Sequence, residues 1–103
     1  MKYRSEYLKD CITVMPEGDL DAESARETRE YLDKLIDGYR FDTFIIDFAK
    51  VDFMDSTGIG VLLGRYKRIK ALGADLCVTN VRPQVDKVFR ISGLYQIIKA
   101  VSV

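Results

Sequence analysis

Thr43-Phe44-Ile45-Ile46-Asp47-Phe48 is a nearly continuous apolar run near the middle of the chain. It is too short for a full helix and rich in residues that favour extended backbone, so it predicts a central strand covered on both faces. Upstream, Ala25, Thr28, Leu32, Leu35 and Ile36 recur at helical spacing. They predict a helix to about Ile36, with Asp21 as N-cap, a Glu30–Lys34 surface pair and Gly38 as its stop. Farther upstream, Pro16-Glu17-Gly18-Asp19 reads as a loop. Before it, Tyr3, Ser5 and Tyr7 alternate with Lys2, Arg4 and Glu6, and Cys11-Ile12-Thr13-Val14-Met15 follows a polar break at Lys9-Asp10. That pattern predicts two strands in an antiparallel hairpin, the second ended by Pro16.

Downstream of the run, a polar stretch around Lys50 leads into Val51-Asp52-Phe53-Met54-Asp55. A long amphipathic helix is expected from about Thr57 to Leu72, with Ile59, Leu62, Leu63, Tyr66 and Ile69 on its inner face and Gly73 as its stop. Leu76-Cys77-Val78-Thr79 reads as a strand. Pro83 opens a short helix to about Ser92, burying Val85, Val88 and Phe89, and Gly93 stops it. Ile97-Ile98 begins a last short strand. The order ββαβαβαβ indicates one α/β domain over residues 1–103, a mixed sheet packed with helices.

Composition narrows the function. Lys plus Arg is 16 and Asp plus Glu is 16, a net charge of zero that argues against a dedicated nucleic-acid binder. No apolar run approaches the ~20 residues that span a bilayer, and no signal peptide opens the chain, so a soluble cytoplasmic protein away from membranes is expected. The absence of histidine removes His-based triads, general acid–base catalysis by imidazole and His-ligated metals. Cys11 and Cys77 have neither disulfide-scaffold nor zinc spacing and read as small buried hydrophobes. No enzyme, metal or cofactor is expected.

Four places invite a functional reading. Gly58, Gly60 and Gly64 echo a dinucleotide fingerprint, but that motif leaves its strand directly into a helix, and close helix–sheet packing is the simpler account. Asp47 ends a buried strand like a phospho-acceptor, yet the first strands form a hairpin and no acidic pair stands after them as a receiver site requires; satisfaction by backbone donors or solvent is simpler. Arg65, Lys67, Arg68 and Lys70 suit either an anionic partner or a solvated helix C-terminus. Asp55-Ser56-Thr57 stands where a loop becomes a helix. One of the three serves as an N-cap, and a hydroxyl there can also accept a phosphate, because a helix N-terminus favours anions.

The segment from Val51 to Lys67, with Asp55-Ser56-Thr57-Gly58-Ile59-Gly60 at its heart and Gly64-Arg65-Tyr66-Lys67 behind, resembles the signature of STAS-domain anti-sigma factor antagonists, especially the sporulation branch directed at the anti-sigma F factor. Gly18-Asp19-Leu20-Asp21 is similar to the family's Gly-Glu-Leu-Asp, and Ile91-Ser92-Gly93-Leu94-Tyr95 to its C-terminal Ser-Gly-Leu segment. The resemblance implies a non-catalytic switch. Unphosphorylated, such a protein binds an anti-sigma factor that is also a serine kinase and frees the sigma factor. Phosphorylation at the position of Ser56 ends binding, and a serine phosphatase resets it. It also implies a partner surface of Asp21, Asp55, Ser56, Thr57, Gly58, Ile59 and Gly60. The sequence departs from the pattern at Ala22 and Glu23, where the sporulation proteins often carry histidines, and it stops at Val103, about where the family begins a final helix. The competing expectations are a small nucleotide-binding or phosphotransfer protein, and a structural STAS domain within a larger signalling complex.

Overall fold

The computed structural model describes residues 1–102. Its strands are β1 (Lys2–Leu8), β2 (Cys11–Leu20), β3 (Thr43–Asp47), β4 (Lys50–Met54), β5 (Asp75–Thr79) and β6 (Lys99–Ala100). Its helices are α1 (Ala25–Gly38), α2 (Ser56–Ala71) and α3 (Pro83–Ser92), with a 3₁₀ turn at Leu94–Gln96. The sheet runs β1-β2-β3-β5-β6, and β4 pairs with β2. Only β1 is antiparallel to its neighbour, so the sheet is mixed as expected.

The hairpin forms because Lys9 and Asp10 both adopt positive φ (51° and 61°), the two-residue turn whose twist matches the strands it joins. Tyr3, Ser5 and Tyr7 turn toward α1. Tyr3 stacks on Tyr31 at 4.3 Å between ring centroids, the Tyr31 hydroxyl donates to Ser5 Oγ at 2.9 Å, and the Tyr7 hydroxyl donates to the Arg40 carbonyl at 2.5 Å.

Pro16 does not end β2. The strand pairs with β3 from Cys11 to Val14 and with β4 from Glu17 to Leu20, and Pro16 falls in the gap between those ladders, where a missing N–H costs least. The stretch Pro16–Asp19 is therefore strand, not loop. β4 is a strand more than the sequence suggested. Its pairing with β2 matches Gly18 to Val51 and Asp19 to Phe53, skipping Asp52. That bulge leaves Val51 and Met54 buried with Asp52 and Phe53 exposed between them, which hides the two-residue period.

Ile12, Val14, Phe44, Ile46, Leu76 and Val78 share one buried cluster with the inner residues of all three helices. Ile45 and Cys77, on the opposite face, are buried but lie outside that cluster. The helices thus cover one face of the sheet, not both, although β3 itself is buried on each side. Cys77 behaves as a small hydrophobe, with its thiol pushed up by burial, whereas Cys11 is only half-buried.

α1 begins at Ala25, and its Glu30 pairs with Arg26 at 3.6 Å instead of Lys34. Gly38 is the last residue of α1, with extended Tyr39 as its C-cap. Gly73 (φ 79°) and Gly93 (φ 77°) do stop α2 and α3 in the left-handed region. Ile98 is buried beneath the 3₁₀ turn and not in a strand; β6 starts one residue later.

Candidate functional site at the ends of two parallel strands

β2 and β4 run parallel, and their last paired residues are Leu20 and Met54. Asp21 and Asp55 are therefore the first residues beyond two neighbouring strand ends, and the Asp55 N–H donates to the Leu20 carbonyl at 3.4 Å. Register alone brings together two acids that are far apart in sequence. Gly18 (φ 128°) lies beside the bulge, in a conformation that favours glycine.

Each acid organises the turn that follows it. Asp55 is the N-cap of α2, and its Oδ1 accepts from the Thr57 N–H at 2.9 Å and the Gly58 N–H at 3.2 Å. Asp21 Oδ1 accepts from the Glu23 and Ser24 N–H groups at 3.0 and 3.2 Å. The expectation that Asp21 caps α1 is corrected here. It closes the turn before that helix, and Ser24 occupies the N-cap position without a side-chain cap bond.

Ser56 is the first residue of α2 and is exposed, and among the described residues its hydroxyl makes no hydrogen bond within the chain. Thr57 and Ile59 are half-buried, and Gly60 is exposed. Gly58 is buried for a packing reason: a Cβ there would stand 2.6 Å from both the Leu20 carbonyl oxygen and Met54 Cγ. Only a glycine lets α2 lie against the end of β2. The same account fails for Gly60 and Gly64, where a Cβ would meet nothing within 4 Å. All three glycines lie inside α2, so no glycine loop exists there to cradle a pyrophosphate.

The two acids nearest Ser56 in sequence are both committed. Asp52 is ion-paired with Arg82, and the Asp55 carboxylate is committed to two backbone donors. That carboxylate already occupies the Thr57 and Gly58 N–H groups. Beside Asp21 lies a groove of about 580 Å³ lined by Glu17, Asp19, Glu23 and Glu27, in which Glu17 pairs with Lys50 at 4.0 Å and Glu27 with the N-terminal ammonium at 3.1 Å, leaving Asp19 and Glu23 without an ion-pair partner among the described residues. Phe53, half exposed on β4 and paired with Asp19, and Arg82, at the N-cap of α3 and paired with Asp52, also border this end of the fold; the bulge that hid β4 hid Phe53, and Arg82 reaches Asp52 only through the tertiary fold.

The other candidates resolve structurally. Asp47 Oδ1 accepts from the Ala49 N–H at 2.9 Å and from Asn80 Nδ2 at 3.2 Å. The basic residues of α2 are mostly spoken for. Arg65 is buried against Asp33 at 3.0 Å, Arg68 pairs with Asp33 at 2.5 Å and with Asp37, and Lys70 pairs with Asp75 at 3.1 Å. Burial lowers the Arg65 pKa while Asp33 pulls it back up. Arg65 is thus part of the α1–α2 contact and not of a solvated patch.

Known proteins place this geometry. The STAS domain family matches residues 3–102. The chain is 31% identical over 97 residues to the anti-sigma F factor antagonist of Paenibacillus polymyxa, covering 94% of this chain and 83% of that one. It is 36% identical over 87 residues to the anti-sigma-B factor antagonist of Bacillus subtilis, covering 84% and 78%. The solved structure of the antagonist SpoIIAA in its unphosphorylated form superposes with a TM-score of 0.82 at 27% identity, covering 98% of this chain and 89% of that one. The Bacillus SpoIIAA structure in the phosphorylated form gives 0.73 at 26% identity, covering 98% and 92%. No helix among the described residues is long and apolar enough to cross a membrane. With the sheet order, the paired strand ends and the Asp55-Ser56 junction in place, the chain belongs to the STAS-domain family of anti-sigma factor antagonists.

Proposed function

We propose that this chain is a cytoplasmic anti-sigma factor antagonist that works by partner switching. Unphosphorylated, it docks on an anti-sigma factor with serine kinase activity through Asp21 and the Asp55–Gly60 junction, and the sigma factor is released. The kinase then transfers the γ-phosphoryl group of ATP to Ser56 Oγ; the hydroxyl proton leaves to a kinase base, and ADP is the product. The phosphorylated form no longer binds, and a serine phosphatase hydrolyses the ester to restore it. The chain itself is passive in this scheme.

The observation that carries the proposal is the free, exposed Ser56 hydroxyl on a capped helix start, beside Asp21. A kinase needs a hydroxyl that it can surround. A partner surface fitted to that neutral group then meets about −1.5 to −2 charges when the phosphate arrives. Leaving such a charge desolvated and unpaired at the interface weakens binding.

Incubation with the partner kinase and ATP, followed by peptide mass spectrometry, tests this. Phosphate is expected on Ser56, none on Ser56→Ala, and none without kinase. Phosphate on Thr57 or Ser92 with Ser56 unmodified overturns the assignment. Phosphate incorporation by the isolated chain overturns the passive role.

A further inference from the structure

We propose that the free edge of β1 pairs with the same edge of a second copy, joining two sheets antiparallel about a two-fold axis through Ser5. β1 is the first strand of the sheet order, pairs only with β2, and is exposed along nearly its whole length. The two-residue turn at Lys9-Asp10 makes Leu8–Cys11 a hydrogen-bonded pair, and antiparallel alternation sets the rest. Glu6, Arg4 and Lys2 exchange bonds with β2, while Tyr7, Ser5 and Tyr3 direct their N–H and C=O groups away from the sheet. No loop or turn backbone bond of the described residues uses these three N–H groups.

Those outward groups fix which registers a second β1 can adopt, and charge selects among them. Centring the pair on Arg4 sets Arg4 against its own copy, flanked by Lys2 opposite the other chain's Glu6, and centring it on Glu6 sets Glu6 against its own copy, flanked by Arg4 opposite Leu8. Centring it on Ser5 sets each Arg4 opposite the other chain's Glu6, and Tyr3 opposite Tyr7. Both ion pairs then fall at non-hydrogen-bonded positions, where side chains of an antiparallel pair approach most closely. Within the chain, neither Arg4 nor Glu6 has an ion-pair partner among the described residues. Charges on an edge strand ordinarily discourage pairing. Here each neighbouring register has a like-charge pair at its centre, and the Ser5-centred one has none. A single strand edge is smaller than a standard stable interface, so the dimer is a weak, concentration-dependent one. No residue of the Asp21–Ser56 site lies on β1, so this inference stands apart from the proposed function.

Sedimentation of the full chain from ~10 µM to ~1 mM, the range in which a small interface associates, reads the equilibrium. The wild type is expected to shift from monomer to dimer. Arg4→Glu and Glu6→Arg each place like charges at two positions and are expected to raise the dissociation constant about tenfold or more. The double variant Arg4→Glu/Glu6→Arg restores both pairs and is expected to dimerise like the wild type, and an equimolar mixture of the two single variants to form a heterodimer. Ser5→Pro removes an outward N–H that β2 does not use and is expected to stay monomeric with its circular dichroism unchanged. A wild type that stays monomeric throughout the range overturns the proposal. So does a dimer indifferent to the single reversals, or one that the double variant fails to restore.

Discussion

Ser24 and Ser56 occupy comparable places, each at the start of a helix that follows one of two adjacent parallel strands, yet their hydroxyls have opposite fates. Ser24 Oγ donates to the Asp19 carbonyl at 2.6 Å and accepts from the Asp21 N–H at 3.2 Å, and the residue is buried. Ser56 Oγ is exposed and uncommitted because Asp55, one residue earlier, does the capping. A hydroxyl that satisfies its own backbone is structural. A hydroxyl relieved of that task by a neighbour is free to be modified. The difference between the junctions lies in which residue holds the helix, not in which residue type is present.

A negative charge at each position breaks the comparison most sharply. Ser56→Asp is expected to keep its melting temperature within a few degrees, since an anion in a helix first turn is worth only ~0.3–1 kcal/mol either way beside Asp55. Its affinity for the proposed kinase partner should fall several-hundred-fold, the equivalent of about 3–4 kcal/mol for an unpaired desolvated charge. Ser24→Asp should do the reverse to the fold, losing about 3 kcal/mol of stability as a buried carboxylate meets the Asp19 carbonyl and the Asp21 side chain. Calorimetry for binding and urea unfolding for stability separate the two. Equal loss of stability in both variants would mean that Ser56 is as structural as Ser24.

The next effect tests the strand end that both junctions share. Gly58→Ala puts a methyl group into the Leu20 carbonyl and Met54, so it should cost about 1–3 kcal/mol by overpacking, read in the same unfolding experiment. A smaller effect is expected of Asp55→Ala. It frees the Thr57 and Gly58 N–H groups and should cost ~1 kcal/mol while leaving Ser56 exposed. If the cap also sets the angle at which Ser56 meets the proposed kinase, the rate of the proposed phosphorylation falls by more than the lost stability explains.

The legibility of this fold followed the regularity of its periods. β3, α2 and α3 were readable because an apolar run, a helical stripe and the Pro83 and Gly93 boundaries each carry one signal without interference. β4 was not, because a bulge at Asp52 replaces alternation with buried residues three apart, at Val51 and Met54. The second half of β2 was masked by Pro16, whose missing N–H is harmless only because β2 changes partners there. The site was half legible. Asp55 as cap and Ser56 at the helix start follow from local chemistry. That Asp21 stands beside them is a matter of strand register, which no local pattern carries. Arg65 was misjudged because a long cationic side chain at an inner helical position reads as surface until Asp33 on another helix is found opposite it.

The smallest expected effect concerns Gly60, and its sign makes it informative. In an exposed helix interior a glycine costs roughly 1 kcal/mol relative to alanine. Gly58 has a reason within the fold for bearing that cost, but Gly60 has none: it is exposed, and a Cβ there meets no atom within 4 Å. It lies one helical turn from Ser56, on the side the proposed partner approaches. Gly60→Ala should therefore raise stability by ~0.5–1 kcal/mol and the melting temperature by a few degrees. If the partner's backbone seats against this turn, the same methyl group should weaken binding, so that stability and affinity move in opposite directions. A variant that gains stability and binds the kinase as tightly as the wild type would remove Gly60 from the docking face. The contact would then narrow to Asp21 and the first turn of α2.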